Sequence, residues 1–167
     1  MGVLYPDPKR NSRSGEGSGV VETKTMTEAI SREQAMIYAM VTMAAVDREI
    51  VDSELRRIGT MVRELPPFRA FDDAKLVEES QVCGQIMSGP GGLNKILEIV
   101  ATTLPKHLRE TCYVLAAEVA VSDHEIRPEE RRFLQLLANN LGIDPLIASA
   151  LERGARARHQ RARPEDA

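Results

Sequence analysis

Tryptophan is absent from this chain, and aromatic residues of all kinds make up only 4% of it. A sheet-built protein draws on aromatic and β-branched residues, so the shortage points instead to helices, which suit the seven methionines and the abundant Ala and Leu. Cysteine is confined to Cys83 and Cys112, each inside an apolar stretch. Two such thiols make no disulfide framework and fit a reducing, cytoplasmic setting. Neither sign of charge prevails: the net charge of -3 creates no field that would draw nucleic acid, and no nucleic-acid partner is expected. The amino terminus has no hydrophobic signal core, and Pro6 stands where a myristoylation motif needs Ser or Thr.

What the chain does have is a repeat. The stretch Ala45-Val46-Asp47-Arg48-Glu49-Ile50-Val51-Asp52-Ser53-Glu54-Leu55 returns as Ala120-Val121-Ser122-Asp123-His124-Glu125-Ile126-Arg127-Pro128-Glu129-Glu130-Arg131. Asp47 answers Asp123, Glu49 answers Glu125, Ile50 answers Ile126 and Glu54 answers Glu130. A repeat fixes the architecture into which other segments must fit. Each copy reads as helix, tight turn, helix. The runs leading in, Ala35 to Val46 and Cys112 to Val121, are apolar apart from Tyr38, Thr42, Tyr113 and Glu118. A helix apolar on nearly every side belongs in a core, and these runs fall short of the ~20 residues that span a bilayer. Beyond each turn Leu55, Ile58, Met61, Val62 and Leu65, then Phe133, Leu134, Leu137 and Leu141, recur at spacings of three and four, as one helical stripe does.

The two acidic turns, the apolar helices before them and the ending Phe133-Leu134-Gln135-Leu136-Leu137-Ala138-Asn139-Asn140-Leu141-Gly142-Ile143-Asp144 resemble the tellurite-resistance TerB family, over roughly Ile30 to Leu151. The resemblance implies a non-enzymatic helical module acting in resistance to tellurite or related stress through protein partners, with a divalent cation at the turns. Family members usually place Gly after the Asp and a hydroxyl residue after the Ile. Here Arg48 and His124, then Val51 and Arg127, take those places, so the usual hydroxyl cap is missing.

The remaining signals divide the chain. Residues 1–27, with Pro6, Pro8 and a Ser/Gly-rich run from Ser12 to Gly19, are expected to be a disordered tail, and Met26 is a plausible alternative start. Residues 28–154 form one TerB-like helical domain, and 155–167 a basic carboxyl tail. Ser31 and Gln34 make a capping box opening a helix to about Val46. The next helix ends at Pro66-Pro67. Asp72 caps a third, from about Asp73 to Ser88, which Gly89-Pro90-Gly91-Gly92 breaks. Leu93 to Thr103, Lys106 to Ser122 and Pro128 to Leu141 follow, Gly142 supplies a left-handed stop, and Asp144-Pro145 starts a seventh helix bearing Leu146 and Ile147. The fold class is therefore all-α: a single-domain bundle of about seven helices built on two helix-turn-helix repeats, with the first and fifth helices central.

Each acidic turn gathers three carboxylates, Asp47, Glu49 and Glu54, then Asp123, Glu125 and Glu130. Hard cations such as Ca²⁺ or Mg²⁺ need several oxygen ligands, which makes these six the candidate metal ligands. Neither turn is an EF-hand, because Asp52 or Pro128 stands where that loop requires Gly, and Ile58 or Leu134 where it requires a bidentate Glu. The structural alternative makes Glu54 and Glu130 caps that reach back to their turns, Asp47 and Asp123 turn formers, and Ile50 and Ile126 core plugs. Glu118, the one charge in its apolar run, must turn outward, pair with a base, or join Asp123 in a site. His107, His124 and His159 are too far apart for a metal or nucleophile motif. No catalytic residue is assigned: a hydrolase would need Glu118 and both turns to converge on one water. The tail carries Arg153, Arg156, Arg158, His159, Arg161 and Arg163, which could lie on an anionic membrane surface or serve as a solvated helix end. A metal-free adaptor for a protein or membrane surface is thus the alternative function.

Overall fold

A computed structural model describes residues 29–46, 50–121 and 126–162. Among them lie seven α-helices: α1 Arg32–Ala45, α2 Asp52–Glu64, α3 Leu76–Ser88, α4 Gly92–Thr103, α5 Lys106–Ala120, α6 Pro128–Leu141 and α7 Pro145–Arg158. Short 3-10 turns at Pro66–Phe68 and Asp73–Lys75 join α2 to α3, and the described residues contain no strand. The expected tail at residues 1–27 lies outside the described residues.

The punctuation residues act as their chemistry dictates. Ser31 Oγ accepts from Gln34 N at 3.2 Å while Gln34 Oε1 accepts from Ser31 N at 2.7 Å, a complete capping box. Asp144 Oδ1 accepts from Leu146 N at 2.8 Å, with Pro145 in the first helical position, where its missing N–H costs nothing. Gly142 adopts φ 66°, the left-handed stop that ends α6. Asp72 does cap, through Ala74 N, but the chain it opens is a 3-10 turn, and α3 proper begins only at Leu76.

Two helices form the centre. From Ala35 to Ala44 every residue of α1 is buried, and α5 is buried at Cys112, Tyr113 and from Leu115 to Ala120. These helices pack against each other; α1 also meets α3 and α4, and α5 also meets α6 and α7. Ile58, Phe133, Leu134 and Leu137 from the amphipathic stripes of α2 and α6 close the core. Burying a residue of this size is worth about 1.5–3 kcal/mol, so this shared interior outweighs any propensity of the separate helices.

Two helices turn apolar side chains outward. Val77 and Val82 of α3 face solvent, while Leu76 and Cys83 are buried. On α7 the seam toward α5 is made by Ala148 and Ala155, and Leu146 stands 81% exposed. Helix α7 also runs through Arg158, so the boundary expected at residue 154 falls inside a packed helix.

At the α3–α4 junction a Cβ on Gly92 would sit 2.3 Å from Met87 O and 2.4 Å from Ile86 O, both backbone atoms. At Gly84 and Gly154 the same Cβ meets nothing within 4 Å. Gly92→Ala should therefore lower stability by roughly 2–3 kcal/mol, whereas Gly84→Ala and Gly154→Ala should raise it by about 0.5–1 kcal/mol. Urea unfolding of the three variants checks both signs.

The core also holds both thiols. Burial pushes Cys83 up to about 11, offset in part by its contact with Thr42, and pushes Cys112 up to about 12. Burial likewise raises the hydroxyls of Tyr38 and Tyr113, with adjacent carboxylates acting in the same direction. A raised pKa favours the folded state fully below the unfolded value, about 8.5 for a thiol, and that contribution is lost as pH climbs through the folded value. The urea midpoint should stay flat, as far as these groups determine it, from neutral pH to about pH 8, then fall steadily above the unfolded thiol range. A midpoint that holds through strong alkali contradicts the buried, neutral assignment.

Candidate functional site

Each acidic turn joins a central helix to an amphipathic one. In the first, Glu54 is the third residue of α2, buried, and its Oε2 accepts from Val51 N at 3.1 Å. In the second, Glu130 is the third residue of α6, and its Oε2 accepts from Arg127 N at 2.8 Å. These are matching halves of a capping box. The reciprocal half is missing in both, because neither valine nor arginine offers a side-chain acceptor. Ile50 and Ile126 lodge against the core beside their turns. The structural expectation for these four residues is thus met, and the two carboxylates sit at positively polarised helix ends.

Asp47, Glu49, Asp123 and Glu125 lie outside the described residues. Among the described residues, no three His, Cys, Asp or Glu side chains gather in a way that could hold a metal ion.

Glu118 neither turns outward nor joins a carboxylate cluster among the described residues. Its side chain is 7% exposed, Oε1 accepts from Arg158 Nη1 at 2.6 Å, and His159 Nε2 lies 3.9 Å from Oε2. Both partners come from the carboxyl-terminal basic run. Burying a carboxylate is costly unless a charge and a hydrogen bond meet it, and the last turn of α7 supplies both.

Three further polar fastenings escaped the sequence reading. Tyr38 Oη on α1 donates to Glu79 Oε2 on α3 at 2.9 Å, and Gln34 Nε2 donates to the other oxygen at 2.8 Å. Tyr113 Oη on α5 donates to Glu152 on α7, so each half pins its central helix to its third helix with a tyrosine and a glutamate. The signal was present: a tyrosine in an otherwise apolar helix needs a partner for its hydroxyl. Arg109 on α5 donates to Leu141 O at 3.0 Å, Ala101 O at 3.4 Å and Leu104 O at 3.5 Å, gathering the carbonyl ends of α4 and α6. The glycine-rich Gly89–Gly92 segment spends N–H groups on its own turn, Gly89 N to Ile86 O and Gly92 N to Gly89 O, as an interhelical connection does.

Among the described residues these elements make an all-helical module in which Tyr38, Tyr113, Glu118 and Arg109 fasten helices to one another. The family described as Tellurite resistance protein TerB matches residues 33–153, most of the chain and all seven helices in whole or part, and the chain belongs to that family. No curated protein matches the chain, and neither does any solved structure. No helix among the described residues is long and apolar enough to cross a membrane.

The Glu118–Arg158 pair is asymmetric, since the arginine side chain is 68% exposed and the glutamate almost wholly covered. Removing the arginine strands a buried carboxylate, whereas neutralising the glutamate leaves a guanidinium that water can solvate. Arg158→Ala should cost roughly 2 kcal/mol and Glu118→Gln less than about 1 kcal/mol. Equal losses in urea unfolding, or the reverse order, would show that the carboxylate finds another partner.

Proposed function

We propose that this chain is a non-enzymatic, cytoplasmic TerB-family protein of the response to tellurite or related stress, working through protein partners and binding a divalent cation, Ca²⁺ or Mg²⁺, at its acidic turns. The observation that carries the reading is the match to the family across residues 33–153, with the doubled acidic turns inside it. Asp47, Glu49 and Glu54 serve as ligands in the first turn, and Asp123, Glu125 and Glu130 in the second. Support comes from the fixed placement of Glu54 and Glu130, each held to its own turn by a cap bond. An ionised carboxylate offers about four lone-pair directions, so a cap bond and an ion contact are compatible on one group. Two buried thiols suit a reducing compartment.

The test is calorimetric titration of Ca²⁺, Mg²⁺, Mn²⁺ and Zn²⁺ into chelator-treated protein. Binding heat is expected with at least one of the hard cations, and Asp47→Asn combined with Asp123→Asn should abolish it. Absence of heat with every ion reduces the turns to structural elements and removes the metal from the proposal.

A second reading, a metal-free adaptor that engages a protein or membrane surface, is favoured by one observation: the outward face of α7 carries exposed arginines beside an exposed leucine.

A further inference from the structure

The outward face of α7 combines features found together nowhere else among the described residues. Leu146 is 81% exposed and Ile147 41% exposed at the start of the helix. Arg153 and Arg156 follow on the helix and Arg161 just beyond its end, all exposed, and none makes an ion pair among the described residues. Helical spacing brings Leu146, Arg153 and Ala157 onto one line, with Ile147 and Arg156 on its two flanks. The acids of this region are turned to other work: Glu152 is fastened to Tyr113, and Asp144 caps the helix. The opposite face is fixed to the domain through Ala148, Ala155 and the Arg158–Glu118 pair, so the outward face is held rigidly outward.

We propose that this face is a docking surface for an anionic lipid membrane. The choice rests on charge and shape. Unpaired guanidinium groups complement anionic headgroups, each contributing when it stands within a Debye length of the surface. Beside its arginines the face carries only the small residues Ala150, Gly154 and Ala157, which suits a lipid surface, since that requires no pocket. Leu146 and Ile147 supply the apolar contact that lets an interfacial helix bury one edge at the headgroup boundary. Association of this kind is peripheral and reversible.

This inference deepens the adaptor reading and is independent of the ion proposal. Its test is sedimentation of the full chain with phosphatidylcholine vesicles, neutral or mixed equally with phosphatidylglycerol, at low and raised salt. Binding is expected to the anionic vesicles only and to weaken as salt rises. Arg153→Glu with Arg156→Glu should reduce the partition at least about tenfold. At unchanged charge, Leu146→Ser with Ile147→Ser should reduce it roughly three- to tenfold. Circular dichroism confirms that these exposed substitutions leave the fold intact. No binding to anionic vesicles at low salt, equal binding to neutral ones, or binding that neither double variant alters overturns the proposal. Polyglutamate captured in place of vesicles, through the same arginines, overturns the lipid assignment while leaving the adaptor reading standing; capture of neither overturns both.

Discussion

The structure depends on one constraint: α1 and α5 are buried on almost every side against each other and their neighbours. Such helices leave no room for an unpartnered polar atom, so the few polar side chains they carry dictate where other helices attach. Tyr38 reaches Glu79, Tyr113 reaches Glu152, Glu118 reaches Arg158, and Thr42 lies 3.6 Å from the Cys83 sulfur. Each contact joins a central helix to α3 or α7. Apolar burial supplies the driving force, but these contacts select the register in which α3 and α7 lie, because a shifted helix would strand a buried hydroxyl or carboxylate.

The turns follow from the same constraint. A central helix that cannot be solvated must end abruptly, and its successor must start with its N–H groups satisfied close by. The sequence supplies an apolar plug, Ile50 or Ile126, and a third-position glutamate that bonds back to the cap. With no hydroxyl at the cap, the glutamate half of the box stands alone, which concentrates negative charge where the helix dipole favours it. A carboxylate there is accounted for by local structure before any ligand is considered.

Much of the fold was legible because it is written in local chemistry. Apolar runs set the central helices, Ser31, Gly142 and Asp144-Pro145 set boundaries, and the glutamates announced their capping roles through spacing. What was not legible depends on contacts between residues remote in the chain. The sequence shows apolar residues on α7 without showing which of them face α5: Ala148 and Ala155 are buried there, while Leu146 and Ile147 are exposed. Likewise the arginines of the carboxyl run looked alike in sequence. Only the packed partner separates Arg158, bound to Glu118, from Arg153 and Arg156, which face water. A charge pattern counts arginines without ranking them.

That division of labour also separates the two copies of the sequence repeat. With Tyr38 registered on Tyr113, Glu118 falls opposite Met43, so the first half buries a neutral side chain where the second buries a carboxylate. A methionine fills space and asks for no partner. A buried carboxylate demands a cation, and the chain meets that demand with Arg158 in the last turn of α7. The consequence is a last helix whose inner side is committed to α5 at Ala148, Glu152, Ala155 and Arg158. Its remaining arginines project from a fixed scaffold instead of a loose end, and a fixed charged surface binds with less entropy lost than one that must first be ordered. The residue that departs from the repeat is therefore the one that gives this helix a defined outer face.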